Sequence, residues 1–163
     1  MIGKVMEDAI NKQINEEMYS AYLYLSMSAY FDSINLNGFS NWMYVQYQEE
    51  IEHAMKFIEH LKNRGGRLKL YAIAEPPNEW SSPLDAFKAT LEHEKHITKC
   101  INDLVDVAEK EKDRAAYNML QWFIDEQVEE EANDEEIIAQ LEMVGDNKNG
   151  LLMIDRELAQ RKS

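Results

Sequence analysis

The sequence is poor in the residues that brace secreted proteins: it holds one cysteine, Cys100. One thiol cannot close an internal disulfide or build a thiolate metal cage, so nothing points to an oxidising compartment, and a cytoplasmic location is expected. Long apolar runs are also missing. The chain starts on a charged amphipathic pattern, with Lys4, Glu7 and Asp8 where a signal peptide would be apolar, and no later segment approaches the length of a membrane span. An unprocessed, soluble chain is expected. Positive charge is scarce: 17 Lys and Arg stand against 31 Asp and Glu, a formal net charge of -14. Such a surface repels a phosphate backbone and an anionic membrane alike, which argues against nucleic acid and lipid and favours cations as partners.

Glycine and proline are sparse, and their positions divide the chain: Gly3, Gly38, Gly65 with Gly66, Pro76 with Pro77, Pro83, Gly145 and Gly150. Between them lie long segments of helical periodicity. Residues 5 to 34 repeat Ile10, Ile14, Ala21, Tyr24 and Phe31, and residues 39 to 64 repeat Phe39, Met43, Phe57 and Leu61 before a Gly-Gly suited to closing a helix. Ser82 as N-cap, Pro83 at N1 and Asp85 in the first turn start another helix. No strong breaker follows until Val144, and one helix of that length would reach about 90 Å. The polar run Glu109 to Asp113 is therefore the expected reversal, giving helices over 83 to 111 and 114 to 143. A fifth, short helix is expected over 150 to 161. Only the connection from Arg67 to Ser81, with an extended-looking Leu68 to Tyr71, is long enough to cross a bundle and let helices two and three run parallel. The fold class is all-α, a four-helix bundle with a long crossover and a short C-terminal helix, in one domain of residues 1 to 163.

Each long helix interrupts its apolar stripe with polar residues. The series are Ile10, Ile14, Glu17, Ala21, Tyr24; then Met43, Gln46, Glu50, His53, Phe57; then Phe87, Leu91, Glu94, Ile101, Val105; then Met119, Phe123, Gln127, Glu130, Ile137, Leu141. Glu17, the Glu50 and His53 pair, Glu94, and the Gln127 and Glu130 pair all lie near the midpoints of their helices, so in an antiparallel bundle they share one level. Four buried carboxylates in one layer repel one another until some take up protons. Two divalent metal ions would balance the four negative charges. Carboxylate oxygens with one imidazole suit iron or manganese, and Glu50 is placed to bridge the two ions.

Blander readings account for other residues. Glu131 fits a solvated acidic face, and the nine methionines fit gap filling in helical cores. His93 and His96 flank Glu94 at i, i+3, not the i, i+4 spacing of a zinc protease helix, and with His60 they read as surface histidines. Trp42 and Trp122 read as packing residues. Tyr24 fits either an ordinary core position or a redox-active neighbour of the metals.

Glu17-Met18-Tyr19-Ser20, Glu49-Glu50-Ile51-Glu52-His53-Ala54, Glu92-His93-Glu94 and Leu120-Gln121-Trp122 followed by Glu126-Gln127-Val128-Glu129-Glu130-Glu131 together resemble the prokaryotic non-haem ferritins, along essentially the whole chain. The resemblance implies a ferritin-like bundle, a shell of twenty-four copies, oxidation of Fe(II) by dioxygen and storage of a ferric mineral. It implies one iron at Glu17, Glu50 and His53, a second at Glu50, Glu94 and Glu130, and Gln127 beside the second. Glu49, Glu126, Glu129 and Glu130 match the further iron site of bacterial and archaeal members. Ile51 and the Gln127 to Glu130 spacing depart from the haem-binding bacterioferritins, so no haem is expected. A rubrerythrin-like peroxide reductase needs four cysteines, and a DNA-protecting miniferritin binds metal between subunits and often has a basic tail, for which Arg161-Lys162 is too little.

Overall fold

The computed structural model describes residues 1–163, which form five α-helices and no strand. They are α1 (Lys4–Ser33), α2 (Asn37–Asn63), α3 (Pro83–Lys110), α4 (Arg114–Val144) and α5 (Lys148–Leu158). All boundaries fall within three residues of those expected from sequence.

Most helix ends have local causes. Ser82 Oγ accepts a hydrogen bond from the Asp85 N–H at 3.1 Å with Pro83 at N1, and Asp113 Oδ1 accepts from the Ala116 N–H at 3.0 Å, so the reversal lies at the polar run. Gly65 takes φ +74° and the Gly66 N–H donates to Leu61 O at 2.9 Å, a left-handed helix ending that suits glycine. The start of α2 is different. Its free N–H groups at Gly38 and Phe39 donate to Asp155 Oδ1 of α5 at 2.8 and 3.0 Å, a cap supplied from 116 residues away or more. A Cβ on Gly38 would come within 1.6 Å of Asp155 O, so glycine lets α5 dock there.

Short turns make α1 and α2 one antiparallel pair and α3 and α4 another. The long connection crosses the bundle against α1, without strand pairing at the extended-looking segment. Asn11 Nδ2 donates to Arg67 O at 2.9 Å, Asn15 Nδ2 to Ala72 O at 3.1 Å, and Ser26 Oγ to Pro77 O at 2.6 Å. Contacts that advance together along both chains mean the connection follows the direction of α1, so α3 starts beside the start of α2 and runs parallel to it. The pairing of Phe39 and Trp42 with Phe87 at that end fits this direction.

The apolar core is split in two. One cluster, with Phe31, Phe39, Phe87 and Leu141, lies toward α5; the other, with Ile10, Phe57, Ile101 and Phe123, lies toward the opposite end. Between them the inward positions are polar. On α3 the inward stripe is Phe87, Thr90, Glu94, Ile97, Ile101 and Leu104, leaving Leu91 and Val105 at its margin, and on α4 Leu120 is buried where Met119 is only partly so.

Candidate metal centre

Glu17, Glu50, His53, Glu94, Gln127 and Glu130 each keep 4% or less of their surface exposed, and they meet in one layer. Two compact ligand clusters result. Carboxylate oxygens of Glu17 and Glu50 with a ring nitrogen of His53 lie within 4.8 Å of one another, and so do oxygens of Glu50, Glu94 and Glu130. Glu50 belongs to both. Neighbouring amides hold the carboxylates: Gln46 Nε2 donates to Glu50 Oε1 and Glu130 Oε2, both at 2.9 Å, Gln13 Nε2 to Glu17 Oε1 at 3.0 Å, and Gln127 Nε2 to Glu94 Oε2 at 3.0 Å. His53 turns Nδ1 toward Glu50 Oε2 at 3.1 Å and Glu17 Oε2 at 3.9 Å. Glu17 Oε2 itself is buried without a hydrogen-bond partner. A buried carboxylate oxygen left unpaired costs roughly 1–3 kcal/mol or more. A cation beside it would remove that cost, so the donor set fits a hard divalent metal.

The electrostatics follow from crowding. Burial and then the facing Glu50 push the Glu94 carboxyl up to about 8. Burial, then Glu50, raises Glu17 well above the usual carboxylate range, and burial, then Glu94 and Glu50, does the same to Glu130. Glu50 is the exception. Burial raises it too, but the hydrogen bond and charge of His53, with donation from Gln46, outweigh burial and leave it lowered. The partnership is reciprocal: burial lowers His53, and Glu50 more than restores it. The layer therefore keeps one carboxylate charged and stores protons on the others, which a metal would displace.

The Ferritin-like domain family matches residues 7–144. A bacterial non-heme ferritin of Bacteroides fragilis is 43% identical over 161 residues, covering 99% of this chain and all of the relative, and one of Campylobacter jejuni is 38% identical over 156 residues, covering 96% of this chain and 93% of the relative. The chain belongs to the ferritin family. Among solved structures, an open pore ferritin of the archaeon Archaeoglobus fulgidus superposes with a TM-score of 0.98 at 56% identity, over 99% of this chain and all of that one.

Around the layer, some residues unite readings left open by the sequence and others depart from them. Tyr24 is fully buried, as a core residue would be, yet its hydroxyl donates to Glu94 Oε1, so it touches the centre. Trp122 is 40% exposed and not core; its ring meets His53 edge-on at 5.4 Å and takes Lys56 Nζ at 4.3 Å, shielding the imidazole from solvent. His93 is half-buried, not a surface group, because its Nε2 reaches Ser20 Oγ at 2.7 Å between α3 and α1. Of the further-site residues, Glu126 and Glu130 cluster with His53, whereas Glu49 is held by Arg161 at 2.7 Å and Glu129 is exposed and joins no cluster.

Sequence reasoning missed two residues near the centre, one of them with no local signal. Arg161, past the end of α5, folds back on α2: its guanidinium donates to Trp42 O at 3.1 Å, Gln46 Oε1 at 2.9 Å and Glu49 Oε2 at 2.7 Å, and lies 4.2 Å from the Trp42 ring centre. It positions Gln46, which in turn holds Glu50 and Glu130. Asp134, one turn beyond Glu130, is 1% exposed with both oxygens unpartnered, and burial, then Glu94, pushes its carboxyl up to about 9. Its signal was its place in the α4 stripe, midway between Glu130 and Ile137.

Proposed function

We propose that this ferritin is a ferroxidase: it binds two Fe(II) ions in the buried layer, oxidises them with dioxygen, and stores the ferric product as an oxyhydroxide mineral inside a shell of twenty-four copies. The observation that carries this reading is the pair of three-ligand clusters sharing Glu50. Glu17, His53 through Nδ1 and Glu50 hold the first ion; Glu50, Glu94 and Glu130 hold the second. Residues 1 to 163 act as one domain, and the free thiol of Cys100 fits the reducing cytoplasm.

The protein contributes positioning and charge. Gln46 and Gln13 fix the carboxylates on one side, and Gln127 and Tyr24 orient Glu94 on the other. Two ions bring four positive charges to four glutamates, so the protons held by Glu17, Glu94 and Glu130 leave as iron enters. Each Fe(II) would give up one electron, and the pair would deliver two to dioxygen, which with two protons leaves as hydrogen peroxide. Three protein ligands per ion leave coordination positions open for the oxidant. Weak carboxylate ligation, with Glu50 common to both clusters, would also let the ferric product leave. A third iron is supported at Glu126 and Glu130 beside His53. Glu49 would join them only by leaving Arg161, and Glu129 only by turning in from solvent.

The test is to add Fe(II) to metal-free protein in air while following ferric absorbance and particle mass. Oxidation well above the buffer rate, with iron retained on a large particle, is expected. Oxidation at the buffer rate, or a small particle that retains no iron, overturns the proposal.

A further inference from the structure

Outside the carboxylate layer, one other group of metal-ligating atoms converges. Glu16 on α1 faces away from its neighbour Glu17 and meets His96 and Cys100, which are i, i+4 on α3. His96 Nε2 is 3.1 Å from Glu16 Oε2 and 3.5 Å from Cys100 Sγ, and all three ligand atoms lie within 4.8 Å of one another. A single ring nitrogen thus faces both partners. In a tetrahedral site with metal–sulfur bonds of about 2.3 Å and metal–nitrogen and metal–oxygen bonds of about 2.0 Å, the S···N edge is about 3.5 Å and the N···O edge about 3.3 Å. The two measured separations match those edges closely.

The chemistry of the donors separates this cluster from the layer. A thiolate, an imidazole and one carboxylate form a softer set than four carboxylates, suited to zinc and its neighbours. Two ligands one turn apart on a helix and a third from a packed helix leave the fourth corner open for water. Burial first, then the charges of Glu16 and Asp103, push the Cys100 thiol up to about 11, while Lys99, itself paired with Asp103 at 2.8 Å, opposes this. Negative charge that holds a proton on sulfur also draws a cation, and a metal displaces that proton on binding.

We propose that Glu16, His96 and Cys100 form a second metal site, between α1 and α3, that takes a borderline divalent cation of the zinc class with water as its fourth ligand. An ion there ties the two helices together one residue from Glu17 and two from Glu94. The site is chemically independent of the layer, and its test does not depend on iron oxidation.

Cobalt(II) is the probe, added to the assembled, metal-free protein. The carboxylate layer holds no sulfur and Cys100 is the chain's one cysteine, so thiolate-to-cobalt charge-transfer absorption reports this cluster alone. The expected result is a band that saturates at one cobalt per chain and is displaced by zinc. It is absent in Cys100→Ser, and its midpoint weakens at least about tenfold in His96→Ala and Glu16→Gln. Glu50→Ala, which disables the layer, keeps the band. No band at saturating cobalt, or an affinity in His96→Ala and Glu16→Gln as high as in the unsubstituted protein, overturns the site, because the latter is binding to a lone thiol. Loss of the band in Glu50→Ala overturns it as well.

Discussion

Glu50 differs from its neighbours because His53 keeps it charged while Glu17, Glu94 and Glu130 hold protons. This makes it the anchor for an incoming cation and gives the layer a definite order of dependence. Glu94→Ala and Glu130→Ala each remove a proposed ligand of the second cluster, and we expect initial Fe(II) oxidation rates to fall at least about 100-fold with particle mass unchanged, since losing even an outer partner of a metal ligand costs about 10- to 100-fold. Tyr24→Phe removes only the hydroxyl that donates to Glu94, so a fall of about tenfold is expected, read in the same stopped-flow assay. Asp134 gives a prediction on stability with a definite sign. Below about pH 4 folded and unfolded chains alike hold its proton, whereas near pH 8 only the folded chain does, so its contribution is lost as pH rises through that window. Asp134→Asn should therefore raise the stability of metal-free protein by roughly 1–3 kcal/mol near pH 8 and change it little near pH 4, measured by denaturant unfolding. An equal effect at both pH values would show that the carboxyl's charge is not the cause.

At the level of elements, the same helices that were legible in the sequence reveal what periodicity does not encode. Four stripes, two caps and the polar reversal were readable because each depends on residues within one turn of each other. The layer was readable for the same reason, with Glu17, Glu50, His53, Glu94, Gln127 and Glu130 all on inward positions of their helices. Three features were not. The α2 start is capped by Asp155, Arg161 returns to Gln46, and Trp122 leans over His53, and each is a contact fixed only by how elements dock. His93 was misplaced because its rotation off the Glu94 stripe puts it between α3 and α1 and not in solvent. Asp155→Ala tests the docking directly. It leaves the Gly38 and Phe39 N–H groups without their acceptor, and a loss of about 1–2 kcal/mol is expected from thermal or denaturant unfolding.

The whole molecule carries a formal charge of -14, and a core split by proton-storing carboxylates adds a pH dependence to that surface. Glu94 and Asp134 bind their protons more tightly when folded, and Glu17 and Glu130 share that direction, so the metal-free protein should lose stability as pH rises from about 5 toward 8 or 9. Fe(II) added without oxygen replaces the protons on Glu17, Glu94 and Glu130 and should make that slope shallower, leaving the part that Asp134 carries, read as a melting temperature that falls less across the same range. No helix is long and apolar enough to cross a membrane, and the acidic balance favours cation entry. The measurement that bears most directly on the layer is the amplitude of the rapid oxidation phase as Fe(II) per chain is increased. Two clusters joined at Glu50 predict an amplitude that rises linearly to two Fe(II) per chain and then levels. An amplitude that rises past that ratio without a break, or no phase faster than buffer, would contradict it.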